Sequence, residues 1–187
     1  MKGFISHFGL ILLSTCILTC RTTQPNVVVK PAEPNDGWHV FTAPDRSFSV
    51  ELPCEPDRRN VSTPATPIYE YTCGGEDDGG LSFFIISAFK LSDREKSRMQ
   101  DEATFERSIR DSFPSNKRIT KLTPLKIENG IGREFVLTNT RDDMDNMRGR
   151  VIVIGVRRYE VGFVAADLKA LESQKAERFF ASFKPLQ

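Results

Sequence analysis

Gly130-Ile-Gly-Arg-Glu-Phe-Val-Leu137, followed after a charged tract by Arg150-Val-Ile-Val-Ile-Gly-Val-Arg-Arg-Tyr-Glu-Val-Gly-Phe-Val164, is the stretch on which the fold reading turns. β-Branched and aromatic residues dominate both runs, as on a pleated, half-buried surface. We read Gly130 to Ala165 as three successive antiparallel strands at the centre of a sheet. Arg133 shares parity with Phe135 and Leu137, whereas Glu134 shares parity with Val136, so the two charges face opposite sides. Gly155-Val156-Arg157-Arg158 supplies a hairpin turn, and Glu128-Asn129-Gly130 another.

Working outward, Ser47-Phe-Ser-Val-Glu-Leu52 alternates with period two and is a half-buried strand closed by Pro53 and Pro56. Before it, Trp38, Val40 and Phe41 form a short first strand, with Pro44-Asp45-Arg46 as a turn. Arg58 to Pro67 is weakly patterned, an edge strand or a loop. Ile68 to Cys73 alternates again, placing Tyr69, Tyr71 and Cys73 together. Gly74 to Gly80 is an acidic turn. Leu81 to Phe89 is apolar on both faces and is read as an inner strand covered on both sides. Arg94 to Ser112 is rich in helix formers, with Ser92 or Asp93 as cap and Phe105, Ile109 and Phe113 on one face. Arg118 to Ile127 is extended and interrupted by Pro124. Asp167 caps a last helix, Leu168 to Phe183, with Leu168, Leu171, Ala176, Phe179, Phe180 and Phe183 inward. The expected fold class is α+β, an antiparallel β-sheet with helices packed on it.

Residues 1–20 form a targeting segment. Lys2 is its positive end, and the apolar run from Phe8 to Leu18 is shorter than a bilayer span requires. The segment ends in Cys16 and Cys20. Ile17-Leu18-Thr19-Cys20 resembles a bacterial lipoprotein lipidation site, which implies a lipid on Cys20. Leu13-Ser14-Thr15-Cys16 is the rival, and ordinary cleavage to a soluble exported protein is the other alternative. Residues 21–36, with Pro25, Pro31 and Pro34, read as a tether, and residues 37–187 as one domain. Export to an oxidising compartment makes Cys54 and Cys73 natural disulfide partners, against the alternative of two free thiols.

Charge excludes some partners. The chain holds 26 Lys+Arg and 25 Asp+Glu, and setting Lys2 aside leaves 25 of each. A neutral chain with no basic tract has no long-range field to gather nucleic acid. Membrane attachment is therefore assigned to the lipid anchor.

Phe48-x-Val50-x-Leu52-Pro53, Gly132-Arg133-Glu134-Phe135, Arg150 with its Val/Ile strand, Gly155, Arg158-Tyr159 and Phe179-x-x-Ser182-Phe183-Lys184 occur in an order that resembles a set of uncharacterised exported bacterial proteins. Their layout resembles the PsbP-like superfamily, which includes DcrB-like envelope lipoproteins. The resemblance spans roughly Trp38 to Leu186. It implies an α/β/α sandwich and a non-enzymatic envelope or assembly role, and it brings no catalytic residue with it.

The residues themselves point the same way. His7 belongs to the leader, so His39 alone would have to serve any Ser-His-Asp or Cys-His site, and no nucleophile motif surrounds it. Neither Cys-x-x-Cys nor His-x-x-x-His occurs. Asp142-Asp143-Met-Asp145-Asn146 lacks the central Gly and closing Glu of a calcium loop. Gly130-x-Gly132 opens a strand rather than a helix, so it is no phosphate loop. Catalytic, cofactor-binding and metal-ligating residues are thus assigned as none. Arg133 and Glu134 are read as forming salt bridges or covering the sheet edge rather than binding a ligand. The tract Arg141 to Arg150 is read as a hairpin tip. In it Arg141, Asp142, Asp143, Met144, Asp145, Met147, Arg148 and Arg150 are the candidate surface for an envelope protein partner, with methionine supplying adaptable contact. The alternative function is a carrier of a small apolar ligand, with Phe105, Phe113, Tyr159 and Phe163 lining a cleft between sheet and helices.

Overall fold

The computed structural model describes residues 37–62, 66–77, 80–139 and 146–186. The expected targeting segment and tether, Cys20 and residues 141–145 of the candidate surface lie outside them. Among the described residues, ten strands and three α-helices run in the order β1 (His39–Thr42), β2 (Phe48–Leu52), β3 (Asp57–Asn60), β4 (Tyr69–Asp77), β5 (Gly80–Lys90), α1 (Asp93–Met99), α2 (Glu102–Arg110), β6 (Lys117–Leu125), β7 (Gly130–Asn139), β8 (Asn146–Ile154), β9 (Arg157–Ala165), α3 (Gln174–Ser182) and β10 (Lys184–Pro185). A short 3-10 helix, Leu168–Glu172, precedes α3.

Seven strands form one antiparallel sheet in the order β3-β4-β5-β9-β8-β7-β6, and β1, β2 and β10 form a second. The Gly130–Ala165 stretch supplies β7, β8 and β9, as its alternation predicts. β9 is the middle strand, and Gly155-Val156 makes the tight turn between β8 and β9, with Gly155 at φ +60°. Glycine reaches that backbone region without strain. Pro124 lies in β6, an edge strand, where a missing N–H donor is tolerated. The weakly patterned segment after Pro56 yields the other edge, β3, with all four residues exposed. This is an α+β fold.

Alternation sorts the core into two clusters, one per face of the large sheet. On the front, Tyr71, Cys73, Phe84, Ile86, Ile152, Tyr159, Val161 and Phe163 pack against Phe48, Val50 and Leu52 of the small sheet and Phe179 and Phe180 of α3. On the back, Phe135, Leu137, Met147, Val151 and Val153 pack against Phe105 and Ile109 of α2.

Two helix expectations need correction. Arg94 to Ser112 is two helices. Ser92 caps the first through a capping box with Glu95. Asp101 then accepts from Thr104 N at 2.7 Å and starts the second. A good N-cap inside a run of helix formers ends one helix by beginning another. Leu168 to Phe183 divides likewise. Asp167 caps the 3-10 helix and Ser173 caps α3. Leu168 consequently points outward and is exposed.

Cys54 and Cys73 form a disulfide. It ties the β2–β3 connection to β4, and Cys73 is buried in the front core. Closing a loop of sequence separation 19 restricts the unfolded chain. Replacing both cysteines by alanine should lower the unfolding free energy by about 3 kcal/mol in urea titrations of the isolated domain. An unchanged midpoint would show that the bond does not hold the fold.

Candidate functional site

Charged side chains sit on both faces of the central strands, and their placement decides which are free to act. Glu134, on the front of β7, faces two arginines of β8. Arg150 Nε donates to its Oε2 at 2.7 Å, and Arg148 Nε donates to its Oε1 at 3.1 Å. Arg148 also pairs with Glu177 of α3, and Arg150 Nη1 donates to the Phe180 carbonyl at 2.8 Å. Both guanidiniums lie over the Phe180 ring, at 4.9 and 4.7 Å. Burial pulls the Arg148 pKa down, but the carboxylates of Glu177 and Glu134 reverse this and leave it raised. The cluster fastens α3 to the sheet.

Arg133 does the same on the back. Only 4% exposed, it reaches Glu106 at 2.9 Å and Glu102 at 3.2 Å, both on α2. The expected salt-bridge role of Arg133 and Glu134 is what the structure shows. Further along that face, Glu160 and Arg158 lie 2.7 Å apart and buried. Burial raises the Glu160 pKa, against the pull of Arg158.

The hairpin-tip expectation is corrected at its C-terminal half. Met147, Arg148 and Arg150 lie in β8, not in a loop. Met147 is 4% exposed, on the back core, and its parity with Val151 and Val153 was the readable signal. Arg148 and Arg150 are committed to Glu134. The proposed carrier cleft is corrected too. Phe105 and Phe113 belong with the back cluster, Tyr159 and Phe163 with the front, so the sheet separates them. His39 Nε2 stands 3.6 Å from Glu55, beyond hydrogen-bond range.

A different site forms at the front corner, where the turn between β1 and β2 meets β3 and β4. A cleft of about 40 Å³ is lined by Pro44, Asp45, Ser47, Arg58, Tyr69, Tyr71 and Ala88. The chain has three tyrosines. Tyr69 and Tyr159 are both register partners of Ala88, and Tyr71 is two residues along β4. Arg58, on the exposed edge strand, lies over the Tyr69 ring at 3.8 Å. The Tyr71 ring packs against Phe41 and Phe48. Tyr71 is 5% exposed, yet no hydrogen bond reaches its phenol oxygen from the described residues. Burial raises the pKa of Tyr71 and Tyr159, so both remain protonated donors at neutral pH.

Asp45 closes the corner. Ser47 N donates to its Oδ1 at 3.0 Å, and Arg157 Nη1 to its Oδ2 at 3.1 Å. Burial alone would raise its pKa, but the Ser47 hydrogen bonds and Arg157 prevail and hold it low. Sequence reading identified Asp45 in a turn and Tyr69 and Tyr71 on one face. It missed their meeting because Arg157 is 112 residues from Asp45.

Two tests follow from these charges. Glu134→Gln strands two largely buried guanidiniums and should cost about 3 kcal/mol of stability in urea unfolding at neutral pH. A loss below about 1 kcal/mol would mean the pairs act as solvent-screened surface contacts. For Asp45, a depressed folded pKa gives stability that is present above the ordinary value of 3.8 and lost as pH falls through the folded value. The urea midpoints of wild type and Asp45→Asn should therefore differ at neutral pH and converge under acid. Parallel curves throughout would remove the charge from the account. No family model and no curated protein matches this chain.

Proposed function

We propose that this chain is an exported binding or assembly module of the bacterial cell envelope, anchored to a membrane through a lipid on Cys20 and without enzymatic activity. The corner cleft carries the binding part of this reading. Tyr71 lines the cleft, and its phenol, which has no hydrogen-bond partner among the described residues, is a donor that a bound group can use. Arg58 stands beside it on an exposed edge. Committed charges elsewhere give a scaffold on which such a site can be held rigid.

The Cys54–Cys73 disulfide supports export, since such bonds persist in oxidising compartments. It also links the cleft to that compartment, because Arg58 on β3 and Tyr69 and Tyr71 on β4 all lie within the loop it closes. Support for the finer PsbP-like assignment is the layering, with α1 and α2 behind the antiparallel sheet and α3 in front. The small β1-β2-β10 sheet shares the front layer with α3.

Two measurements check this reading. Mass spectrometry of the mature protein should find an acylated N-terminus at Cys20, and an unmodified N-terminus beyond Cys20 would remove the anchor. Crosslinking in intact envelopes followed by pull-down should recover a discrete protein partner. Recovery of nothing above a matched control would remove the assembly role.

A further inference from the structure

We propose that the corner cleft is a receptor for a carboxylate group presented by a partner protein, held by Arg58 and Tyr71. This rests on the reading of the chain as a binding module and names the chemistry it recognises. The Arg58 guanidinium carbon lies over the Tyr69 ring, 3.8 Å from its centre. Stacking uses the face of a guanidinium and leaves its in-plane N–H groups free, in the fork that matches a carboxylate's two oxygens. Among the described residues no carboxylate pairs with Arg58. The Tyr71 phenol adds a neutral donor that has no other described partner.

Asp45 is the one carboxylate lining the cleft, and it does not compete for Arg58. Its oxygens already accept from Ser47 N and Arg157. Arg58 and Arg157 against Asp45 leave the corner with one net positive charge, which suits a single anion. Size narrows the class. About 40 Å³ exceeds the space one water needs, but excludes a ring or a folded chain. Only an end group enters, and the molecule bearing it stays outside. A side-chain or C-terminal carboxylate of a protein meets each of these conditions.

The experiment uses the disulfide-bonded domain, labelled with nitrogen-15 and titrated with sodium acetate at constant ionic strength. Acetamide serves as the neutral control and inorganic phosphate as the rival anion. Acetate should produce saturable shifts centred on Ser47, Arg58, Tyr69, Tyr71 and Ala88, and acetamide should not. Arg58→Lys and Tyr71→Phe should each weaken acetate binding about tenfold, the loss expected for one hydrogen bond to a charged group. Arg58 is exposed, so its variant stays folded and decides the matter even where Tyr71→Phe perturbs the core. The carboxylate assignment is overturned by acetate shifts that do not saturate, by equal shifts with acetamide, by unchanged affinity in Arg58→Lys, or by tighter binding of phosphate. Envelope crosslinking of the same variants separates the two readings. If partners are recovered while acetate fails to bind, the module survives and this site does not. If no partner is recovered from wild type, the module reading falls whatever acetate does.

Discussion

A carboxylate on the covered face of a sheet must be neutralised where it stands, because desolvation of a lone charge costs several kcal/mol. Glu134 meets this constraint with two arginines on the neighbouring strand, and much of the architecture follows from that. Arg148 and Arg150 lie on one face of β8 only because they are two residues apart. Having paired with Glu134, they still carry surplus donors and flat cationic faces. These capture the Phe180 ring, the Phe180 carbonyl and Glu177, and so fix where α3 lies. One residue earlier, the pleat turns Arg133 to the other side, where Glu102 and Glu106 of α2 receive it. Two adjacent residues of β7 thus fasten a helix on each face.

The same alternation explains what the sequence discloses. The parity of Arg133 with Phe135 and of Glu134 with Val136 is local, and so are the hairpin at Gly155 and the alternation of Phe48, Val50 and Leu52. These were readable because a strand's two faces are encoded within it. The helix breaks were harder to see. Asp101 and Ser173 resemble ordinary polar residues in a helical run until their side chains are seen to accept from the backbone three residues on. Residues 146–150 were misplaced for a related reason. A tract dense in charge reads as solvated, and the pairing that buries Arg148 and Arg150 is supplied by Glu134, on a different strand. Gly149 belongs to the same logic. It lies opposite Phe135, whose ring occupies the space a side chain there would need. Only the strand register shows why that position is glycine.

The corner cleft was the least legible feature. Its residues come from a turn, an edge strand and two inner strands, and their convergence depends on how the small sheet docks on the large one. Phe41 and Phe48 fix that docking by packing on Tyr71 from the β1-β2 pair. The Asp45–Arg157 pair then holds the turn against the start of β9. Tyr71 both packs its ring in the core and lines the cleft, the two-ended character that suits this residue to the margin of a packed interior.

Charge satisfaction separates scaffold from site across the molecule. Arg133, Arg148, Arg150 and Arg158 each have a carboxylate within 3.2 Å, and each lies against the sheet. Such groups resist change, because moving one strands another. Arg58 differs. It is exposed, its stacking partner is a neutral ring, and its hydrogen-bonding edges are free among the described residues. An edge strand that carries Arg58 and Arg59 side by side also discourages pairing with another sheet. The same arginine can therefore guard an open edge and recognise an acid, because both tasks need a cation that the fold has left unpaired.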